Sequence, residues 1–149
     1  MVTLSRQTHT SVIIEKDGEW YIYEAHVTPG VYVEKIDIDK YIKYIENNEV
    51  DVYRRRKITD TPDMALVDGV IKDLESIDEK MIVIGKYSIA GLFNQFLINV
   101  FGKSVIKETN APYKAICSEL TSHYFTDSKR AYWFSPHSIS DSDAYQKMI

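Results

Sequence analysis

The sequence predicts an α+β fold with a mostly antiparallel sheet, and three observations lead to this class. The first 36 residues form short β-rich runs that are separated by turn residues. The apolar period then changes to that of amphipathic helices, and a short aromatic run follows near the end. Strands followed by helices are typical of α+β folds rather than of alternating α/β folds. The 149 residues fit one domain, which we expect to span residues 1–149.

The first elements are a β-hairpin and a third strand. The runs Ser11–Glu15 and Trp20–Ala25 flank Asp17-Gly18, which is the strongest short signal for a two-residue hairpin turn. A third run, Val31–Ile36, follows the turn residues Pro29-Gly30. The sequence therefore predicts a three-stranded antiparallel meander.

Two amphipathic helices with a short strand between them are predicted next. Asp37 is the candidate N-cap of the first helix, and Asn47-Asn48 mark its end. A strand is expected around Val50–Arg54, and Thr61-Pro62 opens the second helix. The apolar stripes of the two helices are Ile38, Tyr41, Ile42 and Ile45, and then Met64, Val67, Ile71 and Leu74.

The remaining elements are two helices and a strand. The apolar run in Lys80–Lys86 fits either a short buried strand or the end of a helix, and both alternatives stay open. We expect a core helix over Ser88–Phe101, a helix over Ala115–Phe125, a strand at Tyr132–Phe134 and a loose tail over residues 138–149.

Composition excludes several classes of protein. The net charge of −4 gives no overall attraction to nucleic acid, and no segment is apolar enough to span a bilayer. A single cysteine suits a reducing compartment, and no export signal is recognised, so we expect a cytoplasmic location. No spacing of His, Cys or Asp matches a zinc or calcium motif, so no metal or other cofactor is expected.

Cys117 is the candidate nucleophile. The predicted helix places it in a first turn, where the helix dipole favours the thiolate. A lone cysteine is more often a small buried apolar residue, so the catalytic interpretation requires an imidazole partner. We expect its sulfur within about 4 Å of a ring nitrogen of His9.

The hairpin register selects His9 among the four histidines. In a two-residue turn Lys16 pairs with Glu19, and the numbers of opposed residues sum to 35. His9 and Glu24 then share one sheet face, where the carboxylate reaches the imidazole. His26 lies opposite His9 on this face, which we expect the rest of the domain to cover. A three-residue loop would turn Glu24 to the other face.

Several short motifs resemble one family. They are His9 opening an apolar strand, Tyr23-Glu24-Ala25, Pro29-Gly30-Val31, Gly85-Lys86-Tyr87-Ser88, Cys117-Ser118-Glu119-Leu120 and Ser135-Pro136. Together they resemble the circularly permuted NlpC-type, papain-like cysteine hydrolases, and most closely the YiiX-like group. The lecithin retinol acyltransferase group is a relative. The matching segments extend from His9 to about Ile139.

The resemblance implies roles for three residues. Cys117 would be the nucleophile, His9 the general base and then acid, and Glu24 the residue that orients the imidazole. It also implies acyl-enzyme chemistry on an amide, peptide or (thio)ester bond of a peptide, a peptidoglycan fragment or an acylated small molecule. The oligomeric state stays open.

The alternative is a catalytically silent binding or assembly module that keeps the papain-like fold. Only eight residues precede His9, whereas members of the family carry a strand and a helix there. This difference motivates the second hypothesis.

Overall fold

The computed structural model describes residues 9–47, 49–55, 60–87, 114–115, 120–121, 124–125 and 145–148. These residues form an α+β fold with a mostly antiparallel sheet, as predicted, in which two helices are described over their full length. The elements in chain order are β1 (Val12–Lys16), β2 (Glu19–Ala25), β3 (Val31–Ile36), α1 (Ile38–Glu46), β4 (Tyr53–Arg55), α2 (Pro62–Ser76), β5 (Met81–Tyr87), β6 (Lys114–Ala115) and β7 (Tyr145–Lys147).

The main sheet has five strands in the order β1-β2-β3-β5-β6. Neighbouring strands are antiparallel except β5 and β6, which are parallel. A separate two-stranded antiparallel sheet pairs β4 with β7.

The hairpin has the predicted register. Val12 pairs with Tyr23 and Lys16 with Glu19, so each opposed pair sums to 35. Asp17 and Gly18 have φ angles of 53° and 79°, and a type I′ turn requires positive values at both central positions. The Asp-Gly sequence thereby sets which residues of β1 and β2 share a face.

The loop between β2 and β3 brings two backbones close together. The backbone N–H of His26 donates to the carbonyl of Gly30 at 2.9 Å. Gly30 has a φ of +117°, and a Cβ at this position would overlap the backbone carbonyl of Gly85 in β5. Only glycine combines this backbone angle with so close an approach.

The helices α1 and α2 begin at their predicted caps. The Asp37 side chain accepts a hydrogen bond from the N–H of Asp39 at the start of α1. Thr61 accepts one from the N–H of Met64 at the start of α2, where Pro62 is the first helical residue. Both patterns are typical of helix N-termini.

The core described here lies between α2 and one face of the main sheet. Val67, Ile71 and Leu74 from the predicted stripe are buried in it, Val70 joins them, and Met64 packs at its edge. The sheet residues of this core are Val12, Tyr21, Tyr23, Ala25, Val31 and Val33. They alternate with the residues of the opposite face, as the period of a strand requires.

The structure resolves one alternative and changes two expectations. The apolar run after Lys80 forms a strand, β5. Ala115 lies in β6, where it pairs with Tyr87 in a parallel ladder, so the helix predicted over Ala115–Phe125 does not begin at this residue. The described residues 120–121 and 124–125 of that segment are helical, as predicted. Tyr145–Lys147 of the expected tail form β7, and the Tyr145 side chain is buried against Phe125 and Arg55.

Three further expectations fall on residues that are not described. They are the helix over Ser88–Phe101, the strand at Tyr132–Phe134 and the position of Cys117. Among the described residues, no helix has the length and apolar character needed to cross a membrane.

Candidate functional site

The site is built around a contact between His9 and Glu24. Nε2 of His9 lies 3.0 Å from Oε2 of Glu24, which is within hydrogen-bonding distance. A carboxylate only accepts hydrogen bonds, so the imidazole donates through Nε2–H. The predicted approach of these two side chains is confirmed, and it follows from the confirmed hairpin register.

Two further side chains reach the same carboxylate. The hydroxyl of Tyr32, which lies opposite Glu24 on β3, donates a short hydrogen bond to Oε1. Nε2 of His26 lies 3.3 Å from the same oxygen. Both carboxylate oxygens of Glu24 therefore have partners. Tyr32 comes from β3, and the two histidines lie at the open end of the hairpin, before β1 and after β2.

The two histidines stack on each other. The ring centroids of His9 and His26 are 4.4 Å apart, and the ring planes differ by 24°. This contact is expected when the register is continued past Val12, because His9 then lies opposite His26. The His26 ring also stacks loosely on Tyr32, with the centroids 6.1 Å apart.

Burial differs sharply across the group. Glu24 is only 7% exposed, whereas the side chains of His9 and His26 are 35% and 45% exposed. A buried carboxylate thus lies beneath two imidazoles that solvent reaches. A small solute can contact the imidazoles without any change in the described strands.

Electrostatics keep Glu24 ionised. Burial alone would raise the pKa of its carboxyl, but hydrogen bonds from His9 and Tyr32 and the nearby imidazoles lower the pKa overall. The pKa of the Tyr32 hydroxyl is raised, first by burial and then by the hydrogen bond to Glu24. In the contact between Glu24 and Tyr32, an ionised carboxylate therefore accepts a hydrogen bond from a protonated phenol.

The site does not lie on the α2-packed side of the sheet. Glu24 alternates with the core residues Tyr23 and Ala25, so it points to the opposite face. The expectation that the rest of the domain covers the His9 face is met in part, because Ile22, Glu24 and Tyr32 on this face are buried. Ile13, on the edge strand β1 of the same face, is exposed, and the core that packs against α2 lies on the other face.

Of the three predicted site residues, the structure brings two together and leaves the third outside the described residues. His9 and Glu24 are in contact, and Cys117 is not described. The sequence analysis did not identify Tyr32. The signal was available, because the β2–β3 pairing that follows from the Pro29-Gly30 turn places Tyr32 beside Glu24.

The arrangement has a clear chemical capacity. A buried carboxylate that accepts from an imidazole N–H fixes the ring orientation and the tautomer, and it stabilises the ring when it becomes protonated. In this tautomer Nδ1 is the nitrogen that accepts a proton. Such a pair can serve as a general base and then as a general acid.

Comparisons of this chain with protein-family models, with curated proteins and with solved structures found no match.

Proposed function

We propose that this chain is a cysteine hydrolase of the permuted papain-like type. It cleaves an amide, peptide or (thio)ester bond through an acyl-enzyme on Cys117. His9 is the base and then the acid, and Glu24 orients His9. The observation that carries the proposal is the 3.0 Å contact between His9 Nε2 and buried Glu24 Oε2.

The reaction follows from the tautomer of His9. Nδ1 takes the thiol proton, and the sulfur attacks the carbonyl carbon of the substrate to form a tetrahedral oxyanion. When this intermediate collapses, the bond to the leaving group breaks and the imidazolium returns the proton to the leaving amine, alcohol or thiol. A water molecule, deprotonated by His9, then attacks the thioester and releases the acid and the thiol.

Glu24 is suited to the orienting role because it is itself held in place. Tyr32 fixes Oε1, so Oε2 remains directed at His9. A carboxylate that is buried and hydrogen-bonded in this way stabilises the imidazolium more than an exposed one. The exposure of His9 leaves room for a substrate at the ring.

The test is the labelling rate of Cys117 with iodoacetamide at neutral pH. Because Cys117 is the only cysteine, every adduct on a thiol reports on it. We expect labelling about tenfold or more faster than that of a free thiol, and a fall to the free-thiol rate in His9→Ala. Glu24→Gln should also slow labelling, because an amide N–H₂ donates to Nε2 and favours the wrong tautomer.

Glu46→Gln is the matched control, since it removes an exposed carboxylate at the end of α1. Its labelling rate should equal that of the wild type. Equal rates in the wild type, His9→Ala and a free thiol would contradict the proposal. Mass spectrometry of the wild type with a slow thioester substrate should also show an acyl adduct that Cys117→Ser lacks.

A further inference from the structure

Three potential metal ligands converge at one place on the sheet. His9, Glu24 and His26 each offer one ligand atom, and these atoms lie within 4.8 Å of one another. The group joins positions 9, 24 and 26, which no short sequence motif connects. Pairing of the hairpin strands brings them together, and this is why motif spacing predicted no metal site.

Two distances within the group are close to those between neighbouring ligands of a metal ion. Zinc takes nitrogen and oxygen ligands at about 2.0–2.2 Å in tetrahedral geometry, so neighbouring donor atoms lie roughly 3.3 Å apart. Oε2 of Glu24 lies 3.0 Å from Nε2 of His9, and Oε1 lies 3.3 Å from Nε2 of His26. Each histidine thus directs its Nε2 at one of the two carboxylate oxygens, at nearly the required separation.

The surroundings support the three ligands. The Tyr32 hydroxyl donates to Oε1 of Glu24 and fixes the carboxylate, as outer hydrogen bonds fix the carboxylate ligands of metal sites. The backbone of His26 is fixed by its hydrogen bond to Gly30. The two imidazoles are partly exposed, which gives an ion a path from solvent.

We propose that His9, Glu24 and His26 bind one divalent transition-metal ion, with zinc as the best fit. The ligands are the two Nε2 atoms and the Glu24 carboxylate, and water completes the coordination. Two imidazoles favour zinc over magnesium and calcium, which prefer oxygen ligands. Metal binding replaces the His9–Glu24 hydrogen bond, because Nε2 cannot donate a proton and bind the ion together. Neutral His9 then carries its proton on Nδ1, so the metal-bound state and the state in which His9 acts as a base are alternatives.

The experiment measures binding and needs no catalytic activity. The full chain carrying Cys117→Ser is stripped with a chelator and titrated with Zn²⁺ by calorimetry and with Co²⁺ by visible absorption. The serine removes the thiolate as a competing ligand, so a failure of the nucleophile proposal leaves this test intact. We expect one ion per chain and the absorption bands of tetrahedral Co²⁺.

Ligand variants in the same background identify the site. His9→Gln, His26→Gln and Glu24→Gln should each weaken Zn²⁺ binding by about tenfold or more, and Glu46→Gln should leave it unchanged. Circular dichroism checks that each variant is folded. If Glu24→Gln does not fold, the two histidine variants, which change partly exposed side chains, decide the result.

Two outcomes would overturn the metal proposal. One is a Zn²⁺ affinity of the Cys117→Ser chain weaker than about 100 μM, and the other is an affinity that both histidine variants retain. Labelling of Cys117 in the chelator-treated wild type tests the hydrolase proposal separately. Either proposal can therefore fail while the other stands.

Discussion

Glu24 is a buried charge that depends on its neighbours. An ionised carboxylate in a protein interior is costly unless each oxygen has hydrogen-bond partners. His9 supplies one partner, and Tyr32 supplies the other from within the sheet. Tyr32 is itself buried, so water does not replace its hydroxyl without a rearrangement of β3.

Removing the Tyr32 hydroxyl should therefore destabilise the protein. We expect Tyr32→Phe to lower the free energy of unfolding by about 1–3 kcal/mol, because it leaves a buried carboxylate oxygen with fewer partners. Urea denaturation followed by circular dichroism measures the change. Tyr44→Phe, which alters a half-buried tyrosine on α1, should change the stability by less than about 0.5 kcal/mol. Equal effects of the two substitutions would contradict the assigned role of Tyr32.

Replacing two glycines by alanine should change the stability of the protein in opposite directions. Gly30→Ala forces a side chain into a positive φ and against the carbonyl of Gly85, so we expect a loss of about 2 kcal/mol or more. Gly69 lies within α2 with open space around it, and Gly69→Ala should add about 0.5–1 kcal/mol by favouring the helix. Thermal unfolding of both variants checks the signs. A neutral Gly30→Ala would mean that β3 and β5 are not in close contact at this point.

At the scale of elements, the N-cap of α2 also connects the helix to the rest of the fold. The Thr61 hydroxyl accepts from the N–H of Met64 and donates to the backbone carbonyl of Tyr124 at 2.7 Å. One side chain thus caps a helix and satisfies a buried acceptor 63 residues away. The N-cap Asp37 of α1 is exposed and has only the local role.

The two N-caps should contribute different amounts to the free energy of unfolding. Thr61→Ala should cost about 2–3 kcal/mol, because it removes the cap and leaves a buried carbonyl without its donor. Asp37→Ala should cost about 1 kcal/mol or less, because water replaces the lost contact. Thr61→Ser, which keeps the hydroxyl, should recover most of the loss. Chemical denaturation of the three variants gives the values, and equal costs for the two alanine variants would be inconsistent with the Tyr124 contact.

The elements that the sequence predicted correctly are those specified by nearby residues. Asp17-Gly18 fixes the hairpin and its register, and Thr61-Pro62 fixes the start of α2. β7 was missed because only its pairing with β4, some 90 residues earlier in the chain, makes it a strand. The short strand at Lys114–Ala115 depends in the same way on a distant partner, β5.

In the candidate site, too, the features set by nearby residues were predicted and those set by distant residues were not. The contact between His9 and Glu24 follows from the turn, so the sequence was sufficient to predict it. Tyr32 required the pairing of β2 with β3 as well. The capacity for a metal was not predicted because it depends on atomic distances across strands, and residue spacing along the chain does not report these distances.

For the whole molecule, the buried tyrosines set the response to high pH. Burial, with a contribution from Asp68, raises the pKa of Tyr124 to about 12 from an ordinary value of 10.0. The folded state then holds this proton at a pH where the unfolded chain has lost it. Its contribution to stability is fully present below pH 10 and is lost as the pH rises through the folded pKa.

Tyr124→Phe should remove this part of the pH dependence. Relative to pH 9, we expect the wild type to lose about 2 kcal/mol more stability than Tyr124→Phe by about pH 12, since each pKa unit corresponds to about 1.4 kcal/mol. Taking the difference between the two proteins cancels the titration of lysines and other tyrosines. Denaturation curves between pH 8 and pH 12 measure it, and parallel curves for both proteins would show that Tyr124 does not contribute.

The two-residue turn at Asp17-Gly18 links the formation of the site to the stability of the fold. Adding or deleting one residue there would separate His9 from Glu24, and the same slip would move Val12 and Ile14 from the core face to solvent. A hairpin that loses the site therefore also loses part of the core that stabilises the chain. Chains whose hairpin has the wrong register should unfold and be degraded, rather than persist as folded protein without the His9–Glu24 contact. The amount of folded protein therefore indicates indirectly that this contact is present.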